Sequence, residues 1–280
     1  MLRLAHVLPL ALAAALLGCG TNLSTLTPAE TTPAGHIRVT AGAGASIPAG
    51  GLSDLLDAGN TLSDRAAAGE ALTDAERDEL LRASTVGLLA MPSLNPELQA
   101  RVGLHERVDV GFRLGAGSLR LDGRVGLVVP SSARAGKLAV SVGLGLGYYA
   151  FALPVPSFAE GIVTADDYKR YELDVPLLFG WSTDVWRVWM GPKLVFTSYS
   201  VGLTLTAPAT TATADASGTQ TFLAGQIGGA LGFRYCWVVL ELTVAYGLGG
   251  ADLTVTGQPA QRVSTNDLII YPTLGVLVEL

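Results

Sequence analysis

Apolar and polar residues alternate with a period of two from residue 86 to the C-terminus. This pattern predicts an all-β chain, and in particular a transmembrane antiparallel β-barrel of about ten strands with a short helical insert. Composition points to the membrane. Of 280 residues, 49% are hydrophobic and only 15% charged, against roughly 25% charge in an ordinary soluble domain. Such a surface is solvated in part by something other than water. Past the N-terminal region there is no run of about 18 apolar residues to form a spanning helix. A closed barrel is the other structure that pairs every backbone group inside a bilayer.

The first residues carry an address. Arg3 precedes an apolar stretch at 7–17 that ends in Leu16-Leu17-Gly18-Cys19, the layout of a secretory signal and too short to span comfortably. The tetrapeptide resembles the bacterial lipobox. The resemblance implies a signal peptide at 1–18, removal by the lipoprotein-processing enzymes, and acylation of Cys19 as the first mature residue. Gly20, in place of an inner-membrane retention Asp, implies an outer-membrane destination, with Cys19 at the periplasmic leaflet. Residues 19–35 are rich in Thr, Pro and small residues and read as a flexible tether.

The barrel domain is predicted over 36–280. Residues 36–47 are the first alternating segment. Residues 48–85 change character: 53–56 and 71–76 look like short helices, the second with Thr73 and Glu76 at capping-box spacing, which marks a helical insert. Thereafter alternate positions present an uncharged face. It runs through Leu98-Ala100-Val102-Leu104, Val108-Val110-Phe112-Leu114, Leu119-Leu121-Gly123-Val125-Leu127 and residues 138–148, then 171–181, 223–235, 238–248 and 268–280. Segment 187–204 is less regular, because Trp189, Val195 and Tyr199 fall opposite Val188, Met190, Leu194 and Phe196.

The opposite face carries Arg38, Glu97, Arg101, Arg107, Asp109, Arg113, Arg120, Asp122, Arg124, Glu172, Asp174, Lys193, Arg234 and Glu241. A lipocalin-like soluble carrier with the apolar face turned inward shares this periodicity. Three observations favour the membrane barrel. The charged face is glycine-rich, at Gly143, Gly145, Gly147, Gly228, Gly232, Gly247 and Gly249, as the crowded interior of a narrow barrel requires. Connections alternate between short (105–106, 130–136, 183–186, 235–236) and long (48–85, 153–170, 205–219, 250–265), the tight link at 115–117 excepted. Aromatic residues gather near strand ends (Tyr148, Tyr149, Tyr171, Trp181, Trp186, Trp189, Tyr235, Trp237 and Tyr246), as interfacial girdles do.

The last eight residues, Thr273-Leu274-Gly275-Val276-Leu277-Val278-Glu279-Leu280, resemble the C-terminal signal read by the barrel assembly machinery, with Thr273, Gly275, Val278 and Leu280 at its pattern positions and Leu280 replacing the usual aromatic. Residues 86–280 resemble the bacterial outer-membrane β-barrel superfamily, in the manner of small OmpA- and OmpW-like barrels. Ten strands also return the chain to the side on which it began.

The inward charges, in a barrel narrow enough for side chains to fill, are expected to form a structural ion-pair network rather than an aqueous conduit. Outer-membrane barrels include lipid-modifying hydrolases, so a Ser-His-acid set is the chemistry to seek. The mature chain holds only His36 and His105, both at the expected periplasmic end, and Asp166-Asp167 read as a solvated loop pair along with Lys169 and Arg170. No His or Cys spacing suits a metal, no cofactor motif occurs, and Cys236 has no disulfide partner in the mature chain. A net charge of −6 argues against nucleic acid. The expectation is a non-enzymatic, lipid-anchored barrel whose partners are outer-membrane lipid and the biogenesis machinery. Its role would be structural, surface-interacting or narrow solute passage; the alternatives are the tethered carrier and the hydrolase.

Overall fold

A computed structural model describes residues 21–49, 93–115, 117–128, 136–149, 163–207, 210–255, 260–264 and 266–280. The signal segment, Cys19 and all but the first residues of the 48–85 insert lie outside the described residues. The strands are β1 (Ile37–Pro48), β2 (Ser93–His105), β3 (Val108–Gly115), β4 (Ser118–Val128), β5 (Lys137–Tyr149), β6 (Val163–Ser182), β7 (Trp186–Ala207), β8 (Thr210–Phe233), β9 (Cys236–Val255), β10 (Gln261–Ser264) and β11 (Asp267–Glu279). All pairings are antiparallel. Each strand from β1 to β9 pairs with the next, except that β1 also pairs with β11 and β11 with β9, which closes the sheet on itself. β10 and β11 lie along β9 in one register, Ser264 opposite Gly250 and Asp267 opposite Gly247, so they form a single interrupted stave. The fold is a closed barrel of ten staves.

The period of two sorts the side chains as the alternation requires. In β2 buried and exposed residues alternate along nearly the whole strand. Leu121, Leu146, Leu231 and Leu240 all face outward, each more than 60% exposed, whereas Arg101, Asp109, Arg124, Asp174 and Glu241 are buried in the lumen. Large apolar side chains pointing out of a closed barrel are stable only against hydrocarbon. The carrier alternative, which turns this face inward, does not fit.

The wall is uneven in height. The short turns β2–β3, β6–β7 and β8–β9 lie at one rim together with the start of β1 and the end of β11, here called the short-turn rim. At the opposite rim β3 and β4 are only 8 and 11 residues long and meet at Gly115 and Ser118. By contrast β6, β7, β8 and β9 run for 20, 22, 24 and 20 residues. The loops expected at 205–219 and, in part, at 153–170 and 250–265 are therefore strand. β7 and β8 stay paired up to Ala207 and Thr210. Beyond the apolar band these staves keep a period of two with the faces exchanged: Val201, Ala214, Ala216, Ala251 and Leu253 are buried inside while Asp215 and Asp252 point outward, so no outward apolar face marks them as strand.

Residues 21–35 do not form a free tether. They thread the lumen, and Leu23, Leu26, Ser24 and Thr27 are completely buried. A turn joins this segment to β1: the His36 N–H donates to the Pro33 carbonyl (3.0 Å), with Gly35 at φ 76°, as the third position of a type II turn requires. The Gly35 N–H also donates to the Gly103 carbonyl of β2 (2.9 Å). The plug thus runs down the lumen to the short-turn rim, and β1 returns in the wall.

Candidate functional site: the plugged lumen

The plug has no regular secondary structure, so its backbone groups need partners other than their own chain. The inward charges supply them. Glu241 accepts from the N–H groups of Thr25 (2.6 Å) and Leu26 (3.0 Å) and from Trp189 Nε1 (3.1 Å). Leu26 sits at φ 47°, so consecutive amides converge on one carboxylate. Arg113 donates to the carbonyls of Ser24 (2.8 Å) and Thr25 (2.9 Å), and Lys193 Nζ to those of Leu23 (3.0 Å) and Ser24 (2.9 Å). Lower down, Arg124 donates to the Pro28 (2.7 Å) and Glu30 (3.1 Å) carbonyls, and Asp109 accepts from the Thr32 N–H (2.7 Å). Plug side chains join in: Asn22 and Ser24 donate to Glu97 at 2.7 and 2.6 Å, and Thr21 bonds Arg170.

The same charges pair across the wall. Asp109 bridges Arg101 (2.7 Å) and Arg124 (2.6 Å), and Arg101 also holds Asp122. Arg120 pairs with Glu172 (3.1 Å) and Asp174, which also takes Lys193 (2.9 Å); Arg113 lies 3.4 Å from Glu97. At the short-turn rim Glu279 accepts from Arg38 and Arg187, 2.7 Å each, and the plug's sole charge, Glu30, lies 3.0 Å from Arg187. Arg187 also stacks over Trp237, 3.9 Å from its centroid.

Twelve of the fourteen charges expected to face inward do so, Asp122 only partly buried; Arg107 and Arg234 do not. Both lie exposed at the short-turn rim, Arg107 in the β2–β3 turn and Arg234 at φ 57° in the β8–β9 turn, where strand alternation has ended. Arg170, which the sequence pattern assigns to a solvated loop, is buried in the lumen 4.8 Å from the Tyr149 ring centroid. Arg187, Glu279 and Glu30 are not among the expected inward charges. Thr273 and Gly275 face inward on β11, and Leu280 is exposed at its end.

Apolar contacts complete the plug's seat. Leu26 clusters with Leu178, Trp189 and Val239, and Leu23 with Val195, Phe222 and Tyr271. Trp189, Val195 and Tyr199, which break the pattern of β7, are inward-facing; the first two pack directly on the plug. Glycines leave the room this needs. A Cβ on Gly42 would lie 2.7 Å from Leu26 Cδ1, one on Gly145 2.6 Å from Arg120 Nε, and one on Gly228 would strike the Trp189 ring.

Little room for water is left around the charges that hold the plug. Beside Arg113, Arg120 and Asp174 the remaining cavity is about 10 Å³, at the limit of room for a single water. A wider cavity of about 680 Å³ opens at the short-turn rim, lined by Glu30, Arg38, Arg187, Trp237 and Glu279 among others. His36 and His105 are exposed at that rim, the latter accepting from the Arg107 N–H at 3.3 Å. Cys236 is exposed at the start of β9. Among the described residues no cluster of His, Cys, Asp and Glu could hold a metal.

No protein-family model matches the chain, and no curated protein sequence matches it. Solved structures resemble it in architecture. The outer membrane protease OmpT of Escherichia coli is 8% identical, with 92% of this chain and all of that chain covered, at a TM-score of 0.43. A major outer membrane protein of Thermus thermophilus is 11% identical over 87% of this chain and 99% of its own, at 0.38. Neisserial surface protein A is 10% identical over 87% and 95%, at 0.30.

Proposed function

We propose that this chain is a lipid-anchored outer-membrane barrel that its own N-terminal segment seals, and that its role is structural and surface-presenting rather than solute passage. The observation that carries this is the plug's backbone, bonded along its length by Glu241, Arg113, Lys193, Arg124 and Asp109. A conduit would place water on those groups. In this reading the short-turn rim faces the periplasm, the tall staves β6–β9 stand outside the cell, the lipobox-like Leu16-Leu17-Gly18-Cys19 marks the anchor, and Thr273–Leu280 is read during assembly. Single-channel recording in a planar bilayer tests the seal. The intact mature chain is expected to show no steady conductance, and a chain lacking residues 21–32 to show a persistent open level. A stable open channel in the intact chain overturns the proposal.

A further inference from the structure

The plug's contacts climb the lumen in sequence order. Thr31 donates to the Glu106 carbonyl at the short-turn rim (2.9 Å), Thr25 and Leu26 meet Glu241 within the lumen, and Thr21 reaches Arg170. Arg170 precedes Tyr171, the outermost large exposed residue of the apolar band on β6. The start of the described chain is therefore at the height of the outer leaflet, the far side from the periplasmic leaflet expected for the anchor. In sequence Cys19 stands two residues before Thr21, and two peptide units reach at most about 7 Å.

At this height the described strands are shorter on one side of the wall. Asn22 is bonded to Glu97 of β2, whose partner Gly115 ends β3. Thr21 is bonded to Arg170, which lies over Tyr149, and Tyr149 pairs with Ser118, the first residue of β4. The plug's leading end is thus held between β2 and β5–β6, directly beside the low β3–β4 hairpin. On the opposite side β7–β9 continue outward, from Tyr199 to Ala207 in β7, on the order of 26 Å of strand at about 3.3 Å per residue. The hairpin tip carries a groove of about 440 Å³ lined by Pro96, Leu98, Leu114, Gly115 and Ser118 with Glu97. Leu98 and Leu114 on it face lipid.

We propose that the acyl chains of Cys19 leave the lumen over the β3–β4 hairpin, along this groove, into the outer leaflet, so that the lipid anchor lies on the cell-surface side of the membrane. The proposal rests on the lipid-anchored reading above. Every methylene of an acyl chain gains free energy on entering hydrocarbon, which the polar lumen does not supply. The low wall is the nearest route to hydrocarbon from Thr21, whereas the periplasmic leaflet lies at the other end of the plug.

The test uses the full-length protein made in cells fed a long-chain fatty acid bearing a diazirine and an alkyne. The protein is purified in detergent, which removes labelled phospholipid, placed in nanodiscs of unlabelled lipid, irradiated and digested. Label on the N-terminal peptide is expected, with cross-links mainly to peptides from 94–121. Cross-links equal or greater on peptides from 182–190 and 233–240 overturn the surface placement and leave the anchor standing. An N-terminal peptide without acyl label removes the lipid reading itself.

Discussion

Asp109 shows how much a single lumenal residue holds. It is fully buried, binds the guanidinium groups of Arg101 and Arg124, and accepts from the Thr32 N–H of the plug. Asp109→Ala leaves the buried Arg124 without a carboxylate and Arg101 with Asp122 alone, and breaking a buried pair in this way costs about 3–5 kcal/mol. The expected result is a urea midpoint of the refolded barrel lowered by that equivalent. An unchanged midpoint would show that the arginines find other partners. Glu241 is different, because its contacts are to plug amides and to Trp189. Glu241→Ala leaves buried donors unsatisfied at about 1–3 kcal/mol each, yet the strand ladder around it stays intact. The expectation is flickering conductance in a barrel that still folds. Unfolding without conductance would contradict that division of roles.

At the scale of elements, the staves are legible in the sequence because one face meets hydrocarbon and tolerates no charge, which imprints a period of two on β2, β5, β9 and β11. The plug is not legible. Residues 21–35 carry one charge, several Thr and two Pro, and that composition describes a linker as well as a segment solvated by side chains from elsewhere. Its trace lies in the wall: Trp189 and Val195 sit on a face where lumenal water would favour polar residues. Arg170 is obscured for a related reason, since β6 rises out of the apolar band and flanking charges there resemble a loop. The seat makes its own prediction. Gly228→Leu places a side chain against Trp189 and is expected to loosen the plug, read as faster hydrogen exchange at Thr25 and Leu26 with the wall amides unchanged. Equal protection at those amides would contradict it.

For the molecule as a whole, the orientation of its faces decides how it responds to charge. Leu144, in mid-β5, is 54% exposed and would tolerate Arg if it met water. In a bilayer Leu144→Arg is expected to lower folding stability by about 2–4 kcal/mol, measured by reversible unfolding in lipid vesicles. A neutral result would place that face outside the hydrocarbon. The contrast between the low β3–β4 wall and the tall β6–β9 wall also belongs to this scale, because no single strand reveals it.

The turn at Pro33–Gly35 has a consequence of its own. One short turn joins the plug to β1, so leaving and re-entering the lumen is a unimolecular event, and the wall meets the segment at an effective concentration on the order of millimolar. Individual plug contacts can therefore be weak and the seal still persist, with openings brief rather than rare. A free peptide of residues 21–32, added to a barrel lacking that segment, has no such advantage and should reseal it only near millimolar concentration.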